Sequence, residues 1–378
     1  MFDPVSSTHS ASMINDLKQR LARASQAAAD AGVDALLVSP STDLRYLCGY
    51  HAKPLERLTC LVVPSEGDPF LVAPYLEEPA AKASAVGALG MDIVTWQETD
   101  NPYSLVASKL GKVSHVALDD HMWAEKVFGF AQAMPGTKQR AAAELLQDLR
   151  IIKTATEIEA LAHAGRAIDS VHSQMGQWLK AGRTEAEVAR DIADAIVAAG
   201  HDRMDFVIVA SGPNGASPHH DASERVINPG EPVVVDIGGT TPEGYASDCT
   251  RMYCVGEPPA DFVEYYAVLQ KAQAVATAAV KPGVSCEAID AAAREVLDAA
   301  GFGQWFVHRV GHGIGLDTHE HPYMVSGNTR PLSEGMAFSI EPGVYLPGRH
   351  GARIEDIVVC GTDGAIVLNN ETRELVVL

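Results

Sequence analysis

The chain has 378 residues, more than one hydrophobic core usually organises, so its length favours two domains. Its 29 Lys and Arg stand against 49 Asp and Glu, which leaves a formal net charge of -20. This charge would repel phosphate backbones and anionic membrane surfaces, so neither nucleic acid nor a membrane is an expected partner.

The apolar runs of the sequence are too short to cross a bilayer, and the N-terminal residues lack the basic and apolar regions of a signal peptide. The six cysteines are scattered along the chain without a CxxC pair. We therefore expect a cytoplasmic protein whose cysteines are reduced and structural.

The first 150 residues alternate between segments of helical period and short apolar runs. A predicted amphipathic helix and four predicted strands follow one another at residues 14–31, 35–38, 58–63, 69–72 and 116–118. At about residue 150 the pattern changes to a long helix whose apolar residues continue to Leu179 on one face. The sequence thus predicts an α/β domain over residues 1–150 and a second domain over residues 151–378.

The second domain contains an internal repeat, because residues 180–200 and 281–301 align without a gap at an offset of 101 residues. Each segment has a predicted N-cap, Thr184 or Ser285, and each ends in a glycine at the C-terminal stop position. Thr184 and Glu187 also have the spacing of a capping box. The apolar stripes of the two predicted helices are Val188, Ile192 and Ile196 in the first copy and Ile289, Ala293 and Leu297 in the second.

The segments after the two repeated helices favour a duplicated half-domain over a chance likeness of two amphipathic helices. In each copy an apolar segment leads to a His-bearing loop and then to a strand pair that carries two carboxylates. The first copy supplies His219, His220, Asp236 and Asp248, and the second supplies His312, His319, Glu341 and Glu355. This arrangement predicts two half-domains that share a central site.

The four carboxylates and His312 are candidate metal ligands. A turn rich in Gly separates Asp236 from Asp248, so a hairpin would bring both to one end of a sheet, although this pair alone also fits a solvated hairpin. Glu341 and Glu355 lie in apolar strand contexts, where an unpaired Glu is seldom tolerated. Four acids and one imidazole among glycines fit a pair of divalent ions such as Mn, Co or Zn.

In their order and sequence contexts, these five residues resemble the ligand set of the pita-bread-fold metallopeptidases, which include methionine aminopeptidase, aminopeptidase P and prolidase. The resemblance implies an α/β (α+β) chain, with a C-terminal pita-bread fold of two pseudo-symmetric half-domains after a smaller creatinase-type α/β domain. It also implies that Asp236 binds one metal, that Asp248 and Glu355 bridge both, and that His312 and Glu341 complete the other. Asp236 and Asp248 are twelve positions apart where the family usually has eleven, which a hairpin turn one residue longer would absorb.

The same resemblance carries roles for residues beyond the ligands. The motifs SGPNGASPHH, HRVGHGIG and GLDTHE place His219, His308 and His319 where the Xaa-Pro branch has substrate-side histidines, although His308 and His319 could instead hold their loops. We expect His219 or His319 to stabilise an oxyanion and Glu341 to shuttle a proton. The expected substrate-binding residues are His308, Tyr345, Arg353 and Arg330, with Arg353 alternatively orienting Glu355 or capping a strand, and His220 and His321 are left as structural.

The predicted function is dinuclear metal-dependent hydrolysis of Xaa-Pro bonds by a dipeptidase, with a metal-activated water as nucleophile. A dipeptidase must supply a cation for the free carboxylate of its substrate, and Arg330 is the candidate. One alternative is an aminopeptidase P that acts on longer peptides. Others are a metal-dependent hydrolase or lyase of a non-peptide small molecule and a non-catalytic binding protein, which would be expected to lose ligands. We expect a small peptide as partner, and the resemblance implies a homodimer formed through the N-terminal domain.

Overall fold

The computed structural model describes residues 10–378, which divide into two units at the junction of Arg150 and Ile151. The first unit contains the strands β1 (Ala35–Val38), β2 (Cys60–Pro64), β3 (Phe70–Pro74), β4 (Asp92–Trp96), β5 (His115–Leu118) and β6 (Lys138–Ala141). Its helices are α1 (Ala11–Asp30), α2 (Thr42–Cys48), α3 (Glu78–Ala83), α4 (Ala85–Leu89), α5 (Pro102–Leu110), α6 (Ala124–Ala133) and α7 (Ala143–Arg150).

The six strands of the first unit form one mixed sheet in the order β4-β3-β2-β1-β5-β6. The pairs β1–β2 and β2–β3 are antiparallel, and the remaining pairs are parallel. All four predicted strands of this region are present, and β1 has the predicted bounds. The helix α1 begins after Ser10, whose side chain accepts the N–H of Met13 at 3.1 Å, and it buries the apolar face that its sequence pattern predicts.

The second unit contains four helices and eleven strands within the part of the chain that the structure describes. The helices are α8 (Ala155–His172), α9 (Glu185–Ala198), α10 (Ala260–Ala279) and α11 (Cys286–Ala299). The strands are β7 (Arg203–Ser211), β8 (Pro232–Thr240), β9 (Cys249–Cys254), β10 (Gly311–Gly313), β11 (Glu320–Met324), β12 (Ala337–Ile340), β13 (Gly343–Leu346), β14 (His350–Arg353), β15 (Asp356–Cys360), β16 (Ala365–Val367) and β17 (Val376–Val377).

The second unit contains two larger sheets, one built on the strands β7 to β9 of the first half and one built from strands of the second half. Their strand orders are β17-β9-β8-β7 and β11-β10-β12-β15-β16, and β13 and β14 form a separate hairpin. An isolated bridge between Thr250 of β9 and Glu355, the residue before β15, joins the two sheets. Each half has its own hydrophobic core, built around the buried stripe of α9 in the first half and that of α11 in the second. The six stripe residues predicted from the repeat have no exposed surface.

Three local predictions can be compared with the structure. The capping box at Thr184 is present, with the Glu187 carboxylate accepting the Thr184 N–H at 2.9 Å. The predicted long helix is too long, because α8 ends at His172 and only a short 3-10 turn, Met175–Gln177, continues it. Leu179 is nevertheless buried. Its apolar side chain therefore reflects packing of the segment after α8 and does not show that the helix continues to this residue. Among residues 10–378, no helix is both long and apolar enough to cross a membrane.

Candidate metal centre

The first half of the second unit supplies two carboxylates from the β8–β9 hairpin. Asp236 lies within β8, opposite Thr250 of β9, and Asp248 immediately precedes β9. The register makes the two acids diagonal neighbours on one face of the hairpin, where side chains lie within reach of one another. The turn between them is closed by the Thr241 N–H, which donates to the Tyr245 carbonyl at 3.0 Å. The twelve-residue spacing therefore still delivers both carboxylates to one face.

The second half supplies its carboxylates from the paired strands β12 and β15. Ile340 pairs with Asp356, so Glu341 and Glu355 lie at the end of this antiparallel ladder. His312 lies on β10, which corrects the expectation that it occupies a loop. The glycines around it allow close packing, because a Cβ on Gly311 would lie 1.9 Å from the carbonyl oxygen of Ser339.

The structure brings these five predicted ligands together in one cluster. His312 Nε2 lies 3.2 Å from Glu341 Oε1, 3.6 Å from Asp248 Oδ2 and 3.9 Å from Glu355 Oε1. Asp236, Asp248 and Glu355 also have ligand oxygens that lie within 4.8 Å of one another. Four acids and one imidazole, taken from two sheets, therefore converge on one buried volume.

Two oxygens of this cluster identify where a cation fits. Asp236 Oδ1 and Glu355 Oε1 are buried and have no hydrogen-bond partner among the described residues. The second oxygen of each group is occupied, that of Glu355 by the Thr250 hydroxyl at 2.8 Å and that of Asp236 by a guanidinium N–H of Arg353. A buried carboxylate oxygen without a donor is costly unless a cation takes the donor's place. The donor set and these free oxygens fit divalent metal ions.

The pKa shifts of the cluster express the same crowding of negative charge. Burial and the Asp236 carboxylate raise the pKa of Asp248, and burial and the Asp248 carboxylate raise that of Glu355, both well above their ordinary values. Burial also acts to raise the pKa of Glu341, but the hydrogen bond and charge of His312 lower it to about 2. Burial acts to lower the pKa of His312, yet the paired Glu341 raises it. A cation that binds here displaces protons from the cluster.

His312 presents Nε2 to the cluster because its other ring nitrogen is engaged. Nδ1 lies 3.1 Å from the Gly313 carbonyl, so the hydrogen-bond network assigns the proton to Nδ1. The backbone N–H of His312 donates to the Ser339 hydroxyl at 3.0 Å, and that hydroxyl donates to Glu341 Oε1 at 3.0 Å. Ser339 thus orients His312 and Glu341, two of the three second-half ligands, a role that no sequence motif predicts.

A buried hydrogen-bonded chain runs from Asp236 to His308. Arg353 donates to Asp236, to the Pro218 carbonyl at 3.2 Å and to the Tyr345 hydroxyl at 2.7 Å. The Tyr345 hydroxyl in turn lies 2.8 Å from His308 Nε2, and His308 Nδ1 lies 2.7 Å from the Arg309 carbonyl. These bonds occupy both ring nitrogens of His308. Arg353 and Tyr345 are 2% and 3% exposed, so their contacts are with the site's own residues, while their substrate contacts stay a prediction.

His219 and His319 are the exposed imidazoles of the site. The ring centroid of His319 lies 3.9 Å from that of His312, and His319 groups with Asp248 and His312. Burial and the neighbouring His312 lower the pKa of His319 to about 4. Burial lowers the pKa of His308, and the charge of His219 makes a smaller contribution to the lowered pKa values of both His308 and His319.

Arg330, His220 and His321, the other residues that the sequence singles out, have contacts with residues outside the five-residue cluster. The carbonyl of Arg330 accepts the N–H of Cys286 at the first turn of α11, at 2.9 Å, so its role toward substrate stays a prediction. His220 has a structural contact, since its Nε2 lies 2.8 Å from Oε2 of the buried Glu185. The ring of His321 contacts that of Tyr323 in a tilted arrangement, with centroids 4.5 Å apart and an interplanar angle of 51°.

A second group of acids in the first unit provides a contrast. Asp43, Asp119 and His121 also come within metal-binding distance of one another. Here, however, Asp43 accepts a hydrogen bond from Arg150 at 2.8 Å, and Asp119 accepts one from the Ser41 hydroxyl at 2.6 Å. Hydrogen-bond donors of the protein therefore stabilise these carboxylates, whereas carboxylates without donors need a cation.

Comparisons with known proteins agree with this geometry. Residues 159–362 match the metallopeptidase family M24, and residues 20–152 match the creatinase/prolidase N-terminal domain. The chain belongs to the metallopeptidase family M24. The predicted enzyme class, a hydrolase of this family, and the predicted fold class, a pita-bread domain after a creatinase-type α/β domain, are confirmed.

Three similar proteins illustrate the relationship. The chain is 52% identical over 361 residues to the probable dipeptidase PepE of Mycobacterium tuberculosis, covering 95% of this chain and 96% of the relative. It is 36% identical to the Xaa-Pro dipeptidase of Lactobacillus delbrueckii subsp. lactis, covering 92% and 95%. The crystal structure of dipeptidase PepE from Mycobacterium ulcerans superposes with a TM-score of 0.93 at 50% identity, covering 96% of this chain and 98% of that chain.

Proposed function

We propose that this protein is an Xaa-Pro dipeptidase that binds two divalent cations among Asp236, Asp248, His312, Glu341 and Glu355. The observation that carries the proposal is the pair of buried carboxylate oxygens, Asp236 Oδ1 and Glu355 Oε1, that have no donor among residues 10–378. Each lies in a cluster where oxygen ligands from both half-domains converge. Two such oxygens, one from each half, favour two cations over one.

Hydrogen bonds from neighbouring side chains hold two of the ligands for this task. Arg353 fixes one oxygen of Asp236 and Thr250 fixes one oxygen of Glu355, so the free oxygen of each points into the cluster. Donors behind a ligand of this kind set its orientation and its basicity. When bound, divalent cations at such a site lower the pKa of water and polarise a substrate carbonyl.

The residues around the cluster suit the proton movements of amide hydrolysis. The lowered pKa keeps Glu341 ionised at neutral pH, and its carboxylate is the group that we propose takes a proton and passes it to the departing proline nitrogen. This step is needed because the proline nitrogen, a tertiary amide in the substrate, leaves as a protonated secondary amine. The lowered pKa of His319 keeps its imidazole neutral, with one N–H to donate to the developing oxyanion. His219 is the alternative donor.

The choice of dipeptides as substrate rests on the relatives, since a protein 36% identical to this chain is named Xaa-Pro dipeptidase. A solved structure 29% identical to it, with a TM-score of 0.81, is named X-Pro aminopeptidase, which keeps longer peptides as the second candidate. Mn, Co or Zn as the ion, a homodimer and a cytoplasmic location are further parts of the proposal. We also propose that the two units are the two domains, with the boundary at residue 150.

The decisive experiment is an activity panel on metal-stripped protein that is reloaded with Mn, Co or Zn. We expect hydrolysis of Ala-Pro to depend on the added metal and to exceed hydrolysis of Ala-Pro-Ala. Preference for the tripeptide would support the aminopeptidase instead. Metal binding without turnover of either peptide would point to a non-peptide substrate of the same site.

A matched pair of variants separates metal binding from folding. Asp248→Ala removes a buried member of the cluster, whereas Asp363→Asn removes an exposed carboxylate that belongs to no candidate metal group. We expect Asp248→Ala to fold but to bind less metal, with Asp363→Asn indistinguishable from the parent protein. A folded Asp248→Ala variant with full metal content and activity would contradict the proposed site.

A further inference from the structure

The side chain of Arg309, three residues before His312 in the chain, has no anionic partner among residues 10–378. It lies between His308 and β10, and its guanidinium carbon is 4.0 Å from the centroid of the Tyr323 ring. In the described part of the chain, residues 10–378, no ion pair or hydrogen bond engages this guanidinium. The neighbouring arginines differ, since Arg294 pairs with Asp290 and Arg353 pairs with Asp236.

The sheet register places Arg309 close to the cluster. Tyr323 of β11 pairs with His312 of β10 in an antiparallel ladder. Side chains of directly opposed residues leave the same face of a sheet, with Cβ atoms about 5 Å apart. The Tyr323 ring therefore lies on the face that carries His312, and Arg309 covers that ring. The positive charge of Arg309 is also among the influences that lower the pKa of His319, after burial and His312.

We propose that Arg309, whose guanidinium carbon lies over the Tyr323 ring, binds the free C-terminal carboxylate of a dipeptide substrate. This inference rests on the proposed function and adds the residue that selects dipeptides. A contact of a guanidinium with a ring forms no hydrogen bond through its N–H groups, so these groups stay available for a two-pronged hydrogen bond to a carboxylate. A carboxylate bound there would supply the charge partner that Arg309 lacks in the described chain.

The position of Arg309 agrees with the length of a dipeptide. In Xaa-Pro, one residue separates the scissile carbonyl from the carboxylate, and one residue spans about 3.8 Å. The carboxylate therefore lies next to the reacting carbonyl, and the Tyr323 ring that Arg309 covers lies on the sheet face of His312. In a longer peptide the same place would hold a neutral amide, which gains less from a guanidinium than a carboxylate does.

This assignment replaces Arg330 as the expected partner of the substrate carboxylate. Arg330 lies six residues beyond the end of β11, where its carbonyl caps the first turn of α11. Arg309 lies three residues before His312 in the chain and contacts the tyrosine that pairs with it. The sequence motif HRVGHGIG contains Arg309, but only the structure shows which ring it contacts.

The test compares kcat/KM for Ala-Pro with that for Ala-Pro amide, which lacks the carboxylate, on metal-loaded protein. The parent protein is expected to prefer the free acid. Arg309→Gln is expected to lower kcat/KM for the acid about 30-fold and to leave the amide within about twofold, because it removes only contacts to a charged group. The kcat/KM of Arg309→Lys for the acid is expected to lie between those of the parent protein and Arg309→Gln, since Lys keeps the charge but lacks the planar guanidinium. An unchanged ratio of acid to amide in Arg309→Gln would overturn the inference.

Further variants test the position of the Arg309 guanidinium. Tyr323→Phe keeps a ring under Arg309 and is expected to keep the preference for the acid, whereas Tyr323→Leu removes the ring and is expected to weaken it. Arg330→Gln is the matched control and is expected to keep the preference for the free acid over the amide. The inference would also be overturned if Arg330→Gln lost this preference while Arg309→Gln kept it. If the parent protein cleaves neither compound, the proposed function fails; if it cleaves both equally, the inference alone fails.

Discussion

The two halves of the metallopeptidase unit hold their histidine-bearing segments by different means. In the first half one buried carboxylate, Glu185, does most of this work. It accepts hydrogen bonds from the Ser211 N–H and the Ser223 hydroxyl, at 2.7 and 2.6 Å, and from Asn214. It also bonds His220, so four residues of the segment that carries His219 converge on one side chain.

The second half uses ion pairs in the same place. Asp290 of α11 accepts the N–H of Val310 at 2.9 Å and pairs with Arg294, which donates in turn to the His308 carbonyl at 2.9 Å. A second pair, Lys153 with Glu320 at 2.7 Å, holds the residue next to His319 in the chain.

The acidic residues that hold the histidine-bearing segments do not occupy equivalent positions in the repeat. At the offset of 101 residues, Glu185 corresponds to Cys286 and Asp290 corresponds to Ala189. The duplicated helix therefore keeps its apolar stripe in both copies, while the polar residue that anchors the loop occupies a different turn in each. Packing constrains the stripe, because both copies bury it against a sheet, whereas any donor or acceptor that reaches the loop can anchor it.

The largest effect is expected where the halves meet. Asp236→Asn in the first half and Glu355→Gln in the second each convert a buried oxygen without a donor into part of a neutral amide. We expect each change to lower kcat/KM by about 1,000-fold or more, with loss of bound metal, because the cations bind carboxylates from both halves. Metal content and activity of both variants check this, and a variant with normal metal content would show that its half is dispensable for binding.

A smaller effect is expected from Glu185→Gln, which replaces an acceptor-only group by one with its own donors. The new NH₂ group faces donors from Ser211 and Ser223, so we expect about 2–3 kcal/mol lower free energy of unfolding. Displacement of the His219 segment should lower kcat/KM by up to about 100-fold. Denaturant unfolding and kinetics measure both quantities.

Glu187→Gln is the matched control on the same helix, because Gln also completes a capping box. It should leave both quantities near those of the parent protein. Equal effects of the two variants would mean that charge on α9, and not the bonds of Glu185, supports the first half.

A smaller loss, about 10-fold in kcat/KM, is expected for Tyr345→Phe, which removes the hydroxyl between Arg353 and His308. This hydroxyl connects the second half to Asp236 of the first half through Arg353. Tyr265→Phe is a matched control, because the buried Tyr265 hydroxyl also lies 3.0 Å from an imidazole, that of His350. Loss of activity in both variants would indicate a general effect of removing a buried hydroxyl.

The smallest effect is a pH dependence of the support in the first half. Burial acts to raise the pKa of Glu185, but the donors Ser223, Ser211 and His220 lower it below its ordinary value of 4.5. A depressed folded-state pKa contributes stability that is present above 4.5 and is lost as the pH falls through the folded-state value. The difference in free energy of unfolding between the parent protein and Glu185→Gln should therefore shrink below pH 4.5. A difference that grows on acidification would contradict the role assigned to these donors.

Most of the architecture of this chain could be predicted from its sequence. Periodicity indicated four of the six strands described in the first unit, and the repeat indicated two half-domains with buried stripes, because these patterns arise from local geometry and burial. The five clustered residues could also be predicted, since acids in apolar strand contexts require partners. The end of α8 at His172 could not, because an apolar residue such as Leu179 reports burial and not the backbone that carries it.

The sequence by itself determined which residues converge, namely the acids of two strand pairs and His312. Only the tertiary structure decided which other side chains contact these ligands and which lie near them. The contacts of Arg353 with Asp236, of Thr250 with Glu355 and of Arg309 with Tyr323 join segments between 14 and 117 positions apart. No local pattern encodes such a pairing, because it depends on how two sheets meet and on which long side chain reaches across.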